Sequence, residues 1–120
     1  LSETPEAGVI FREGDEGSFM GIIHSGKVAV FKADSEDRPV QVAILKKDKT
    51  FGEMAVLDGE RRSATCVAAT PSNILTLPRE SLERMIEECP RIAAKVIRAI
   101  AITLSRRLRV VDFKVAEHQL

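Results

Sequence analysis

Tryptophan and tyrosine are missing from this 120-residue chain, and five phenylalanines bring the aromatic content to only 4%. A ligand with a ring system therefore has no indole or phenol to stack on. The chain also has no excess of charge of either sign, because eighteen basic and eighteen acidic residues cancel to a formal net charge of zero. The chain as a whole has no field that draws it to nucleic acid or to an anionic membrane. Any anion must be bound by a local arrangement of donors.

Long hydrophobic runs and a signal-like start are lacking as well. No apolar run reaches the ~18 residues that cross a bilayer, and the first residues, LSETPEAG, are polar and interrupted by proline. We therefore expect a soluble, cytoplasmic chain without a membrane segment. The two cysteines, Cys66 and Cys89, lie in separate apolar patterns with no CxxC pair and no histidine nearby. This argues against a zinc or iron–sulfur site and predicts buried thiols, which a reducing cytoplasm suits.

The first two thirds of the chain contain short apolar runs separated by turns rich in glycine, proline or small polar residues. Such runs, with many valines and isoleucines, are typical of β-strands. They are VIF (9–11), FMGII (19–23), KVAVFK (27–32), VQVAIL (40–45), ATCVAA (64–69) and NILTL (73–77). In the fourth run Val40, Val42 and Ile44 share one face, which predicts a sheet packed on one side and partly covered on the other. We expect one domain over residues 1–120, with a β-sandwich or barrel over about 9–77.

After Pro78 the spacing of the apolar residues changes to three and four. This spacing predicts amphipathic helices over about 79–119, with a break at Pro90. The first stripe consists of Leu82, Met85, Ile86 and Cys89. The second stripe consists of Ala93, Ile97, Ile100, Leu104, Leu108, Val111 and Val115.

The long last helix is the predicted contact between two copies of the chain. Beyond Leu104 only a narrow apolar seam remains, as helix pairing requires, so we expect a homodimer. The alternative is a helix end that frays or docks on sequence outside this chain. The basic residues between Arg91 and Arg109 meet no acid in that stretch. We interpret them as a solvated helix face and expect no direct nucleic-acid contact from this segment.

The segment FGEMAVLDGERRSAT, residues 51–65, is the one that indicates chemistry. Met54 to Leu57 predict a single helical turn, whose exposed N–H groups favour a nearby phosphate. Gly52 lets a ligand approach the backbone closely. Glu53 is not a phosphate ligand, because two anions repel, so it must accept hydrogen bonds from a ribose hydroxyl or from an arginine.

Two arginines follow this turn in sequence. Arg62 supplies a planar guanidinium that can bind two phosphate oxygens, and Ser63 and the N–H of Ala64 are further donors. Arg61 is predicted to be a solvated charge, because consecutive residues entering a strand point to opposite sides. Glu53 and Arg62 also allow a second interpretation, a structural ion pair.

These residues resemble the phosphate-binding cassette of the cyclic nucleotide-binding domain family. That family includes catabolite-activator-like regulators, the regulatory segments of protein kinases A and G, and cyclic nucleotide-gated channels. The residues that match G-E-x-A-x-L…R-[STA]-A are Gly52, Glu53, Ala55, Leu57, Arg62, Ser63 and Ala64. Upstream, IFREGDEGSFMGIIHSGKVAVF is similar to the family's glycine-turn and SGKV signature, with Gly14, Gly17 and Gly26 in place. Two motifs at compatible spacing are more specific than either alone.

The resemblance implies a mainly β jelly-roll (a double-stranded β-helix) with C-terminal helices and a cyclic nucleotide inside the roll. It implies that Glu53 accepts from the ribose 2′-hydroxyl, that Arg62 pairs with the cyclic phosphate, and that Ser63 and Ala64 donate to it. The ligand-binding residues it implies are Gly52, Glu53, Met54, Ala55, Arg62, Ser63 and Ala64.

The base has less support in the sequence. Without tryptophan or tyrosine, the resemblance implies a purine resting on aliphatic residues and on the last helix, where a loose alignment places Val111 and Asp112. Serine after Arg62 leans toward cAMP rather than cGMP by analogy with the family. No cofactor or metal is expected.

The predicted function is therefore a cAMP-binding regulatory sensor that signals through its C-terminal helices to an effector outside this chain. The alternative from another class is a dimerising interaction module with a vestigial pocket or a different ligand. An enzyme is disfavoured, because no nucleophile, base or metal set completes a site beside Glu53.

Overall fold

The chain forms two antiparallel sheets of four strands each, followed by helices. A computed structural model describes the backbone of residues 2–119 and the side chains of residues 3–109. Its strands are β1 (Ser2–Thr4), β2 (Val9–Phe11), β3 (Phe19–Ser25), β4 (Val28–Ala33), β5 (Pro39–Leu45), β6 (Thr50–Phe51), β7 (Thr65–Ala68) and β8 (Ser72–Pro78). The strand orders are β1-β8-β3-β6 in one sheet and β2-β7-β4-β5 in the other. The predicted fold class, mainly β with C-terminal helices, is confirmed.

Each predicted apolar run coincides with a strand, and two further strands were not predicted. β1 is polar and pairs at the sheet edge with β8, with Glu3 opposite Asn73. β6 has only two residues and pairs with β3. Strands this short or polar carry too few apolar residues to show a period of two.

The core of the β unit is built by both sheets. It consists of Phe11, Ile23, Val28, Phe51, Cys66 and Ile74. In β5 the face shared by Val40, Val42 and Ile44 is exposed, at 45%, 53% and 45%. Val30 and Leu45 pack against the core from the inner side of the same sheet. One side of this sheet is therefore packed as predicted, while the apolar side chains of β5 on the other side remain largely open.

The turn between β3 and β4 requires glycine at position 26. Gly26 has a φ of 95°, and an added Cβ would lie 2.2 Å from Ser72 Oγ and 2.6 Å from the carbonyl oxygen of Pro71. We expect Gly26→Ala to lower the free energy of unfolding by roughly 2–4 kcal/mol, from left-handed strain and from the clash. Urea unfolding followed by circular dichroism measures it.

Gly14→Ala is the matched control for that substitution. Gly14 has a similar φ of 90°, but nothing lies within 4 Å of its added Cβ. It should cost only the backbone strain, about 1–2 kcal/mol. Equal losses for the two variants would contradict a steric role for the Ser72 contact.

Three helices complete the described chain: α1 (Glu53–Asp58), α2 (Arg79–Glu88) and α3 (Pro90–Gln119). The break at Pro90 is confirmed, and Pro90 itself is the first residue of α3, where its missing N–H costs nothing. The chain divides into two compact units, Leu1–Ser81 and Leu82–Leu120. Among the helices that the structure describes, none has the length and apolar content needed to span a bilayer.

Within the helical unit, the predicted stripes are partly buried. Leu82, Ala93 and Ile100 are buried, whereas Leu108 is 61% exposed. The side chains of Val111 and Val115 lie outside the described residues, so the helix pairing stays a prediction. The predicted basic face is exposed at Arg91, Lys95, Arg98, Arg106 and Arg109.

The two cysteines have different surroundings. Cys66 is buried in the β unit, as predicted, and Cys89 is exposed. The prediction of a buried thiol was wrong for Cys89. The N–H of Cys89 still donates to the carbonyl oxygen of Met85 at 2.8 Å, so the helical spacing continues. Ile86 of the same stripe is 46% exposed, so the stripe itself is open at this end of α2.

Candidate functional site

The motif of residues 52–64 folds as a short helix and a loop between β6 and β7. Gly52 precedes α1 with φ 76° and ψ 7°, a left-handed conformation that glycine adopts without strain. A Cβ at this position would lie 2.5 Å from Nη1 of Arg62. Glycine is required here both by the backbone angle and by the approach of the arginine.

Helix α1 is held on the β unit by one face. Glu53, Ala55 and Val56 are buried, while Met54 and Leu57 are 52% and 44% exposed. Gly59 ends the helix with φ 74°, and its N–H donates to the carbonyl oxygen of Ala55 at 3.0 Å. The predicted helical turn is therefore present and extends to six residues.

The carboxylate of Glu53 lies inside the protein, with only 2% of the residue exposed. Burying a charge is costly unless hydrogen bonds or an opposite charge compensate it. An isolated apolar packing role would be served better by leucine or methionine. A carboxylate in this place therefore indicates a group that accepts hydrogen bonds.

The guanidinium of Arg62 is also turned inward, and the residue is 3% exposed. Nη1 donates to the carbonyl oxygen of Gly52 at 3.0 Å, and Nη2 donates to that of Phe19 at 2.6 Å. Cζ of Arg62 lies 3.8 Å from the ring centroid of Phe11, a cation–π contact. Burial lowers the pKa of the Arg62 guanidinium, and the nearby Cys66 and Asp15 partly offset this effect.

Backbone hydrogen bonds fix the same arginine in the loop. The N–H of Arg62 donates to the carbonyl oxygen of Asp15 at 2.7 Å, and the N–H of Gly14 donates to that of Arg62 at 2.9 Å. The glycine turn of residues 12–17 and the cassette, which were two separate motifs in the sequence, are therefore in direct contact.

The residues beside Arg62 face outward. Arg61 is exposed, as predicted, and its Nη1 donates to the carbonyl oxygen of Gly14 at 3.1 Å. Ser63 is exposed, and Ala64 is half-buried at the start of β7. Among the predicted ligand-binding residues, Glu53 and Arg62 are therefore internal and Met54 and Ser63 are accessible. The hydrogen bond from Arg62 to the Gly52 carbonyl joins the two ends of the set.

Two predicted contacts fall on side chains that the structure does not describe, and one residue beside the cassette was not predicted. The side chains of Val111 and Asp112 lie outside the described residues, so their contact with a base stays a prediction. The missed residue is Arg79, whose Nη2 donates to the carbonyl oxygens of Gly17 and Ala55, each at 2.7 Å. A cation at a helix start is electrostatically unfavourable, and that oddity was the available signal.

Comparison with known proteins matches most of the chain, including the cassette, to one family. The family model described as "Cyclic nucleotide-binding domain" matches residues 3–89. A "Cyclic AMP receptor protein" of Thermus thermophilus is 34% identical over 110 residues, which cover 92% of this chain and 49% of that protein. The chain thus spans about half of the length of this relative.

Solved structures agree in fold. A cyclic nucleotide-binding domain from Methylobacillus flagellatus superimposes with a TM-score of 0.86 at 30% identity, over 89% of this chain and 60% of that one. The Thermus thermophilus catabolite activator protein superimposes with a TM-score of 0.81 at 33% identity, over 95% of this chain and 52% of that one.

Proposed function

The chain belongs to the cyclic nucleotide-binding domain family, and we propose that it is a regulatory sensor module that binds cAMP. On binding, it signals through its C-terminal helices to an effector outside this chain. The choice of cAMP is supported by the name of the Thermus relative and by "CRP-like cAMP-activated global transcriptional regulator", a Mycobacterium tuberculosis protein 29% identical over 105 residues.

One observation carries the proposal. The hydrogen bond from Nη1 of Arg62 to the carbonyl oxygen of Gly52 joins the two ends of the cassette across the intervening loop. It links Gly52, the residue before Glu53, to Arg62, the residue before Ser63. This link supports the proposal that donors for a phosphate and an acceptor for a sugar hydroxyl serve one ligand, as a cyclic nucleotide requires.

We assign a role to each side of the ligand. The exposed Ser63 hydroxyl and the N–H of Ala64 donate to the cyclic phosphate, and Glu53 accepts from the ribose 2′-hydroxyl. Arg62 pairs with the phosphate by exchanging the carbonyl oxygens of Gly52 and Phe19 for phosphate oxygens. Because two hydrogen bonds are given up, the affinity gained from Arg62 is smaller than that of a solvated arginine placed ready for the anion.

The proposal also covers the contact with the nucleotide base, pairing of two copies of the chain, and the cellular compartment. The purine rests on aliphatic side chains and on α3 near Val111 and Asp112. Two chains pair through α3, residues 1–120 act as one domain in the cytoplasm, and the effector is a domain or protein outside them. The module itself carries no catalytic activity, so incubation with cAMP, cGMP or common esters should give no product.

Isothermal titration of nucleotide-stripped protein with cAMP and cGMP tests the proposal. We expect a micromolar or tighter dissociation constant for cAMP and weaker binding of cGMP. If cGMP binds more tightly, the sensor function stands and the choice of nucleotide is wrong. If neither binds, the proposed function is wrong.

A second candidate function is an interaction module whose pocket no longer binds a nucleotide. The burial of Glu53 and Arg62, at 2% and 3% exposure, favours it, because both groups already contribute to the packed interior. This candidate predicts no heat of binding for cAMP or cGMP. It also predicts that the oligomeric state is the same with and without added nucleotide.

A further inference from the structure

Arg79 connects three segments of the β unit by hydrogen bonds. It is the first residue of α2 and belongs to the compact unit Leu1–Ser81. Its Nη2 donates at 2.7 Å to the carbonyl oxygen of Gly17 and at 2.7 Å to that of Ala55, in the middle of α1. Its backbone N–H donates to the carbonyl oxygen of Ser18 at 2.8 Å.

The charge of Arg79 serves α1 rather than α2. A cation at the start of α2 meets the positive end of that helix, which is unfavourable. Helix α1 has no basic residue in its own last turn, and its last carbonyl groups lack partners within the helix. Arg79 supplies a second, charged donor to the carbonyl oxygen of Ala55, which already accepts from the N–H of Gly59.

Helix α1 packs tightly against Gly17. An added Cβ at Gly17 would lie 2.1 Å from Cβ of Ala55, so the helix touches the Gly17 backbone directly. Gly17, Ser18, Ala55 and Arg79 therefore form one packed cluster, which we call the Arg79 junction. A displacement of α1 cannot be absorbed there without breaking a charge-assisted hydrogen bond or moving the first turn of α2.

We propose that Arg79 is a positioning residue that joins α1, the helix that carries Glu53, to the first turn of α2 and passes a displacement of α1 to α2. The proposal rests on the proposed nucleotide binding by α1. Arg79 itself contacts no nucleotide. The proposal requires α2 to adopt a second position when the nucleotide binds, and the coupling free energy then equals the difference in nucleotide-binding free energy between the two positions.

Hydrogen exchange of the protein without nucleotide tests the junction first. In Arg79→Ala we expect amide exchange about tenfold faster in both α1 and the first turn of α2, beyond any change in the slowest core amides. Arg79→Lys retains a cationic donor and should recover part of the protection. The control is Arg84→Ala, an exposed arginine of the same helix, which should leave both segments unchanged. Exchange that rises only in step with global stability overturns the proposal.

Exchange with saturating cAMP tests the transmission. In the parent protein cAMP should change the protection of α2, and Arg79→Ala should still bind cAMP within about tenfold while losing that change. An undiminished change in Arg79→Ala overturns the proposal. So does cAMP binding to the parent protein without any change in α2, and in both cases the proposed function stands. Absence of cAMP and cGMP binding to the parent protein overturns the proposed function and the transmission together.

Discussion

Arg62→Ala is expected to weaken cAMP binding by about tenfold to a hundredfold, because it removes the charged partner of the phosphate. The same substitution should lower the free energy of unfolding by roughly 2–4 kcal/mol. It takes the guanidinium donors away from the carbonyl oxygens of Gly52 and Phe19 and removes the cation from the Phe11 ring. Titration calorimetry and urea unfolding measure the two losses.

Two variants separate the phosphate contact from the loss of stability. Arg61→Ala removes the neighbouring exposed arginine and should leave cAMP affinity within about twofold. Arg62→Lys keeps a positive charge but cannot donate to both carbonyl oxygens with one planar group, so it should recover affinity only in part. If Arg62→Ala lowers stability but binds cAMP as tightly as the parent, Arg62 is a structural residue only.

Glu53→Gln is expected to weaken cAMP binding by about tenfold to a hundredfold and to leave 2′-deoxy-cAMP nearly unchanged. Glutamine keeps the shape of the side chain but loses the charge that strengthens a hydrogen bond from the ribose hydroxyl. The parent protein should therefore prefer cAMP over the deoxy ligand, and the variant should lose most of that preference. Competition binding with the two ligands measures the preference directly.

The comparison of ligands distinguishes a sugar contact from a structural effect. Because Glu53 is 2% exposed, a purely structural effect of its replacement would disturb the packed interior and weaken both ligands equally. An equal loss for cAMP and 2′-deoxy-cAMP would assign Glu53 to folding rather than to ribose recognition. A thermal unfolding curve of the variant shows how large the structural contribution is.

Sequence reasoning located most elements because their signals are local. The alternation in VQVAIL and the stripe from Leu82 to Ile86 each arise within a few residues, and β5 and α2 lie where they predict. β1 and β6 were missed because their partners, β8 and β3, supply the hydrogen bonds that define them. Strands this short are stabilised by pairing with a neighbouring strand, and that neighbour is distant in sequence.

The site shows the same division. Gly52, Glu53, Arg62 and Ser63 were identified from residue type and spacing, since the chemistry of a phosphate and a sugar hydroxyl limits which side chains suit them. The direction of the Arg62 side chain was not predictable in this way. Its carbonyl partner in β3, Phe19, is remote in sequence, as is the Phe11 ring in β2. Arg79 was missed for the same reason.

By itself, the sequence determined the family, the order of the helices and of six of the eight described strands, and the residue types of the cassette, because propensities, turns and short motifs act over a few neighbouring residues. The tertiary structure alone decided that Arg62 is buried against Phe11 and that Arg79 joins α1 to the start of α2. Both depend on carbonyl groups and rings that folding brings together from separate segments. Pairing a buried donor with an acceptor is a requirement of the folded chain, and only the fold reveals which acceptor is within reach.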